Sequence, residues 1–409
     1  MILFVALISR AMQLQVLSGE ALKKMAKKQH TSAVQLQPER GIIFDRNGEK
    51  LAVSIMSDSV CADPSKIENH SEAAEKMSPV LMMDKNAIMK KLSGGKHFIW
   101  IARKITPDQA SAVEQLDIEG VFLVKEPKRF YPNGELAGSL LGNVGLDSSG
   151  MDGLELKYDK NLKGSSEKLI WARDAKGNKL YPRTEKINTE KKEHQNLVLT
   201  IDSRIQYLVE SKLKEAVRSK SAKGGFAIVM DPKTGEILAL ANEPGYNPNT
   251  SKDTPDKGKN KAVADCFDPG STFKPFLAAR ALEAGAVRPE SRFHCENGQY
   301  KVADRVIHEA NKGRHGVLSV KDIIKYSSNI GCVKMSEKLG KDKFYQYINQ
   351  FGFGSRTGIE LPGESSGLLR HVKKWSRVDA ATIAFGQGVS VTAVQLITAL
   401  SAIANDGML

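Results

Sequence analysis

Ser271 and Lys274 stand three residues apart within Asp268-Pro269-Gly270-Ser271-Thr272-Phe273-Lys274-Pro275. On a helix, positions i and i+3 share a face, so the hydroxyl and the amine can meet. A serine hydroxyl is a poor nucleophile at its own pKa, and an amine whose pKa is lowered by burial can activate it. Pro269-Gly270 signals a turn entering a helix, and the free N–H groups of a helix start can stabilise an oxyanion. The stretch therefore reads as a nucleophile, a base and part of an oxyanion hole. The same spacing recurs at Ser93/Lys96, Ser165/Lys168 and Ser211/Lys214, where it reads as solvated surface pairs. Spacing alone does not separate Ser271 from these.

A second element does. Ser327-Ser328-Asn329 is the only Ser-x-Asn of the chain, in the setting Ile323-Ile324-Lys325-Tyr326-Ser327-Ser328-Asn329-Ile330-Gly331. A hydroxyl and an amide there can relay a proton and orient the lysine. The competing reading is a Ser/Asn cap at a helix terminus, the commoner use of these residues.

The elements that must hold these residues are partly legible. Apolar residues at Ile205, Leu208, Val209, Leu213 and Val217 predict a helix over 203–219. Phe226–Met230 and Glu236–Leu240 flank Asp231-Pro232-Lys233-Thr234-Gly235, a hairpin signal. Helices are expected around 273–284, 319–328, 342–350 and 391–405. Asn196–Thr200 reads as a strand, Thr106-Pro107 as a helix start, Asp147–Gly150 as a loop, and the charged stretch from Lys186 to His194 as an exposed boundary.

The 409 residues predict more than one domain, and 41% apolar residues can build a globular body. The net charge is +13, from 60 Lys+Arg against 47 Asp+Glu. No zinc-finger, RNA-binding or basic-zipper pattern accompanies it, so nucleic acid is not an expected partner; a basic surface facing an anionic polymer or lipid accounts for the charge equally well. Cys61, Cys266, Cys295 and Cys332 show no metal-ligand spacing and are expected to be mostly buried free thiols. Residues 1–22 open with an apolar run, Met1 to Ile8, that is short for a membrane span and lacks the marks of a cleaved signal peptide. It reads as the outer end of a partial membrane anchor. Lys23, Lys24, Lys27 and Lys28 follow it, against the positive-inside rule for an exported body unless a basic segment precedes Met1.

Ser271-x-x-Lys274 followed by Ser327-x-Asn329 resembles the penicillin-binding protein and serine β-lactamase superfamily. Arg40-Gly41-Ile42-Ile43-Phe44-Asp45-Arg46-Asn47-Gly48, Arg129-Phe130-Tyr131-Pro132-Asn133-Gly134 with Gly142, and Gly150-Met151-Asp152-Gly153-Leu154-Glu155 resemble the ordered boxes of its class B members. Leu51-Ala52-Val53-Ser54 with Ala62-Asp63-Pro64 is most similar to the cell-division type. The resemblance implies a multidomain α and β fold: a membrane anchor at 1–22, an elongated α+β pedestal of the dimerisation type at 23–200, and a transpeptidase domain at 201–409, an antiparallel sheet flanked by helices. It implies a D,D-transpeptidase that cross-links peptidoglycan stem peptides at the septum and is acylated by β-lactam antibiotics. Ser271 would be the nucleophile, Lys274 the base, Ser327 the proton carrier to the leaving amine, and Asn329 the residue holding Lys274 and the substrate amide. No metal or organic cofactor is implied. The implied location is the bacterial cytoplasmic membrane, single-pass, with the catalytic domain outside, beside divisome proteins including a glycosyltransferase.

The family's third motif, Lys-Thr-Gly on a strand, is expected after Ser327. Lys233-Thr234-Gly235 precedes Ser271 and reads as turn chemistry instead. Gly386-Gln387-Gly388-Val389-Ser390 and Ala404-Asn405-Asp406-Gly407 match the segment leading toward the third motif, so the sequence is expected to continue past Leu409, with further strands. An elongation- or sporulation-type transpeptidase is the nearest alternative, and a non-catalytic scaffold of a wall-synthesis complex the alternative from another class.

Overall fold

The computed structural model describes residues 38–94, 98–164, 194–250 and 259–408, with the backbone of strands β1 (Thr31–Leu36), β6 (Glu167–Arg173) and β7 (Lys179–Glu185) and four positions nearer the N-terminus. The expected anchor at 1–22 and most of the Lys186–His194 boundary lie outside the described residues. Among the described residues no helix is long and apolar enough to cross a membrane.

The first half is built on a long strand. β3 (Lys50–Ala62) pairs antiparallel with β4 (Ile99–Ala102), β5 (Val121–Phe130) and β2 (Ile43–Phe44); β2 in turn pairs in parallel with β8 (Leu197–Val198). Helices α1 (His70–Leu81), α2 (Lys85–Leu92) and α3 (Pro107–Gln115) cover one end of this sheet. They bury Met77, Ile88, Leu92 and Val113 against Val60, Ala62 and Ile101. The Thr106 helix start is a full capping box: its hydroxyl accepts from Gln109 N–H, the Gln109 side chain accepts from Thr106 N–H, and Pro107 opens the helix.

In the second half, α4 (Ser203–Ser219) lies against the hairpin of β9 (Gly225–Met230) and β10 (Ile237–Glu243). Asp202 caps α4 by accepting from Arg204 and Ile205 N–H. Lys233-Thr234-Gly235 fills the hairpin turn, as expected: Gly235 has φ +74° and Asp231 Oδ1 accepts from Lys233 N–H at 2.8 Å. Then come α5 (Lys274–Glu283), α6 (Val320–Lys325), α7 (Asn329–Leu339) and α8 (Ala393–Ala404), of which α8 packs on both β9 and α5. They enclose a core that includes Phe273, Leu277, Ile323, Val333, Phe353 and Val391. The expected helix over 319–328 stops at Lys325, because Ser327 takes a left-handed φ of +57°.

The halves meet through one continuous apolar core, in which Ile43, Leu51, Leu141 and Leu162 pack with Ile201, Leu240, Val263 and Val394. Polar contacts fix the register. Asp45 accepts from Ser203 Oγ at 2.7 Å and Ser203 N–H at 3.1 Å, and Asn47 Nδ2 donates to Asp202 Oδ2 at 3.1 Å. Three of the four cysteines are buried free thiols and Cys266 is exposed.

Candidate active site

The turn carrying Ser271 is clamped from behind. Phe267 and Val391 exchange backbone hydrogen bonds of 3.0 and 2.9 Å, Gly270 N–H donates to Gly386 O at 2.9 Å, and Gly388 N–H donates to Asp268 Oδ2 at 3.3 Å. Gly270 sits at φ +56°, and a Cβ on Gly386 would stand 2.1 Å from Gly270 O, so only glycine at 386 allows this approach. The Gly386-Gln387-Gly388 segment thus supports the turn, a role its sequence did not suggest.

Gly270–Phe273 forms a 3₁₀ turn that runs into α5, whose first residue is Lys274. In a 3₁₀ turn residues i and i+3 eclipse one another, which places Ser271 and Lys274 on the same side more strictly than the expected α-helix would. Phe273 points the other way, fully buried against Phe276 and Phe353. The pair is divided by solvent: Ser271 is exposed, whereas Lys274 is only 2% exposed. The Ser271 N–H belongs to the first turn, where no intrahelical acceptor precedes it.

The Lys274 ammonium reaches across to the Ser-x-Asn turn. Nζ donates to Ser327 O at 2.5 Å, Ser327 Oγ at 2.9 Å and Asn329 Oδ1 at 2.8 Å. These partners match the three donors of a lysine ammonium. Burial pushes the Lys274 pKa down, since desolvation disfavours the charged form. The field of Glu309 opposes that shift in part. Cys332 also faces Lys274, but burial pushes its thiol up to about 12, so it is neutral near pH 7 and contributes no charge there.

In Ser327-Ser328-Asn329 the helix cap and the contacts to Lys274 fall on different residues. Ser328 is the cap: its hydroxyl accepts from Gly331 N–H at 2.9 Å and starts α7. Ser327 and Asn329, on either side, face Lys274. The left-handed backbone at Ser327 turns both its carbonyl and its hydroxyl to the amine. The Ser211/Lys214 pair of equal spacing is fully different: both residues are exposed, and Lys214 lies 3.6 Å from Glu135. Ser165 and Lys96 lie outside the described residues.

The sequence reading missed Glu309. This carboxylate is 6% exposed and follows the strand Arg305–His308. It accepts from Asn329 N–H at 2.6 Å and from Ser328 Oγ, while the neighbouring His308 O accepts from Asn329 Nδ2 at 2.9 Å. A signal existed: Ile307 is buried and His308 exposed, so strand alternation sets 309 inward, an unusual place for a charge.

Comparison with known proteins bears on this arrangement. The penicillin-binding protein transpeptidase domain matches residues 225–409, and the penicillin-binding protein dimerisation domain matches residues 35–199. A probable peptidoglycan D,D-transpeptidase, PenA of Neisseria meningitidis, is 34% identical over all of this chain and 70% of its own length. This chain belongs to the class B penicillin-binding proteins. Stage V sporulation protein D of Bacillus subtilis is 35% identical, with all of this chain and 64% of that protein aligned. The peptidoglycan D,D-transpeptidase FtsI of Escherichia coli is 32% identical over 98% of this chain and 68% of its own length. Among solved structures, penicillin-binding protein 2X of Streptococcus thermophilus superposes with a TM-score of 0.71 at 27% identity, covering 92% of this chain and 60% of that one. For a class B penicillin-binding protein, the first half described above is the dimerisation domain and the second the transpeptidase domain.

Proposed function

We propose that this class B penicillin-binding protein is a serine peptidoglycan D,D-transpeptidase, with Ser271 as nucleophile and Lys274 as its base. The observation that carries the proposal is the buried Lys274 amine, one 3₁₀ turn from an exposed serine and hydrogen-bonded to Ser327 and Asn329. The neutral amine takes the Ser271 proton as Oγ attacks the carbonyl carbon of a D-Ala-D-Ala amide. The Ser271 N–H lies where it can meet the developing oxyanion. Ser327 Oγ accepts from Nζ, so its own proton is free to pass to the leaving amine while it takes one from Lys274. Terminal D-alanine departs and an ester remains on Ser271. An amine of a neighbouring stem peptide then attacks that ester, and the new amide is the cross-link. Asn329 holds Nζ through its carbonyl oxygen and, in this reading, guides the substrate amide.

A β-lactam supplies an amide that the same serine opens. Septal wall synthesis, a membrane-held position with the catalytic domain outside the cell, and divisome partners including a glycosyltransferase complete the reading; the similarity to FtsI over 98% of this chain and 68% of that protein supports them. To test it, the native full-length protein is given a pentapeptide donor with an amine acceptor. Release of D-alanine together with cross-linked product is expected, and Ser271→Ala abolishes both. D-alanine release that survives Ser271→Ala would overturn the proposal.

A further inference from the structure

The Ser-x-Asn turn rests on a single buried carboxylate. Glu309 accepts from Ser328 Oγ and Asn329 N–H, the two residues that follow Ser327. Among the described residues, the turn it grips supplies the hydrogen-bond acceptors of Lys274 Nζ. Neutral groups stand between Glu309 and the lysine: Ser327, Ser328 and Asn329 bridge them, and no ion pair joins them among the described residues. A buried carboxylate without a directly paired cation is costly. Two hydrogen bonds and the positive N-terminus of α7 offset that cost, and its field still reaches Lys274.

We infer that Glu309 is a positioning residue of the reaction: it holds the Ser-x-Asn turn in place and supplies the buried negative charge that stabilises Lys274 in its protonated state. Glu309 takes no proton itself. The Ser271 proton moves to Nζ and on through Ser327, and Glu309 stabilises the ammonium that forms between those transfers. This rests on the role proposed for Lys274 above.

Cys332 on α7 and Cys295, after the strand Arg292–His294, are buried thiols pushed up by desolvation, hence neutral near pH 7. Lys334 and Glu296, which flank Cys295, pair with each other at 2.5 Å. His308 is exposed.

The test is the pH dependence of acylation of the native full-length protein by a fluorescent penicillin. In the wild type the rate rises with pH as Lys274 loses its proton. Glu309→Gln removes the charge, so the Lys274 pKa falls and the rising limb moves to lower pH, on the order of one unit. Glu309→Asp keeps the charge and returns the limb to its wild-type position, with a lower plateau because the shorter side chain cannot hold both partners. A limb that stays in place in Glu309→Gln while only the plateau or the melting temperature drops would overturn the inference and leave Glu309 a fold residue. If Glu309→Gln does not fold, Glu309→Asp and Ser328→Ala decide. Both keep the charge but loosen the turn, so a lowered plateau at an unchanged melting temperature supports the inference and a wild-type plateau in both overturns it. Absence of any acylation at Ser271 in the wild type would instead strike the transpeptidase reading itself.

Discussion

Two buried charged clusters, one in each domain, are wired in opposite ways. In the dimerisation domain, Arg40 and Arg129 converge on Glu155: Arg40 Nη2 lies 2.6 Å from Oε2 and Arg129 Nε 2.6 Å from Oε1. Arg40 also reaches Asp159 at 2.5 Å and the Ser148 and Glu155 carbonyls. Charge meets opposite charge directly, and arginine keeps its proton at any working pH. In the transpeptidase domain, Lys274 and Glu309 are as deeply buried, yet they are kept apart by hydroxyls and an amide. A directly paired cluster locks geometry. A spaced pair whose cation is a lysine keeps a proton that can move, because burial already lowers the lysine's pKa. Burial of charge is thus common to both domains, and the pairing pattern separates the locked cluster from the one proposed to carry the chemistry.

Breaking the first cluster is expected to have the largest effect. Glu155→Ala leaves two buried guanidinium groups facing each other and should cost about 3–5 kcal/mol of folding stability. Urea denaturation measures it, and a loss below about 1 kcal/mol would show that solvent compensates. Lys274→Met should lower the rate of acylation by penicillin at least ~10²-fold while the protein still folds. Loss of folding would erase the contrast with Glu155.

The joint between the domains tests the comparison by pH. Burial pushes the Asp45 carboxyl up, but hydrogen bonds from Ser203 Oγ and from the N–H groups of Glu49, Ser203 and Asn47 together hold it below its ordinary value. A depressed folded pKa means a stabilisation fully present above the unfolded carboxylate pKa, about 4, and lost as pH falls through the lower folded value. Asp45→Asn should therefore flatten the acid side of the stability profile, read from melting temperatures between pH 6 and pH 3. An acid side as steep as the wild type's would assign it to other carboxylates. The smallest change is expected at Thr106, which belongs to neither cluster. Thr106→Ala removes the cap of α3 and should cost about 1 kcal/mol with acylation unaltered.

Much of this was readable in the residues. Periodicity placed α4 at 203–219, and turn chemistry placed Lys233-Thr234-Gly235 in the hairpin turn. These are local signals, settled by residues near in sequence. What stayed hidden depended on contacts between distant segments. The break after Lys325 follows from the left-handed Ser327, which is held by Lys274 from 53 positions earlier. Gly386 is explained only by Gly270, against which it packs, and Asp45 by Ser203. Glu309 had a faint local sign in strand alternation, but its partners are Ser328 and Asn329, which no propensity brings to it.

The most direct test is to locate the adduct formed when the native protein meets a penicillin. Proteolysis and mass spectrometry should find the penicilloyl mass on the peptide spanning Asp268–Lys274, with fragmentation placing it on Ser271. An adduct on any other residue, such as Ser327 or the exposed Cys266, would contradict the account.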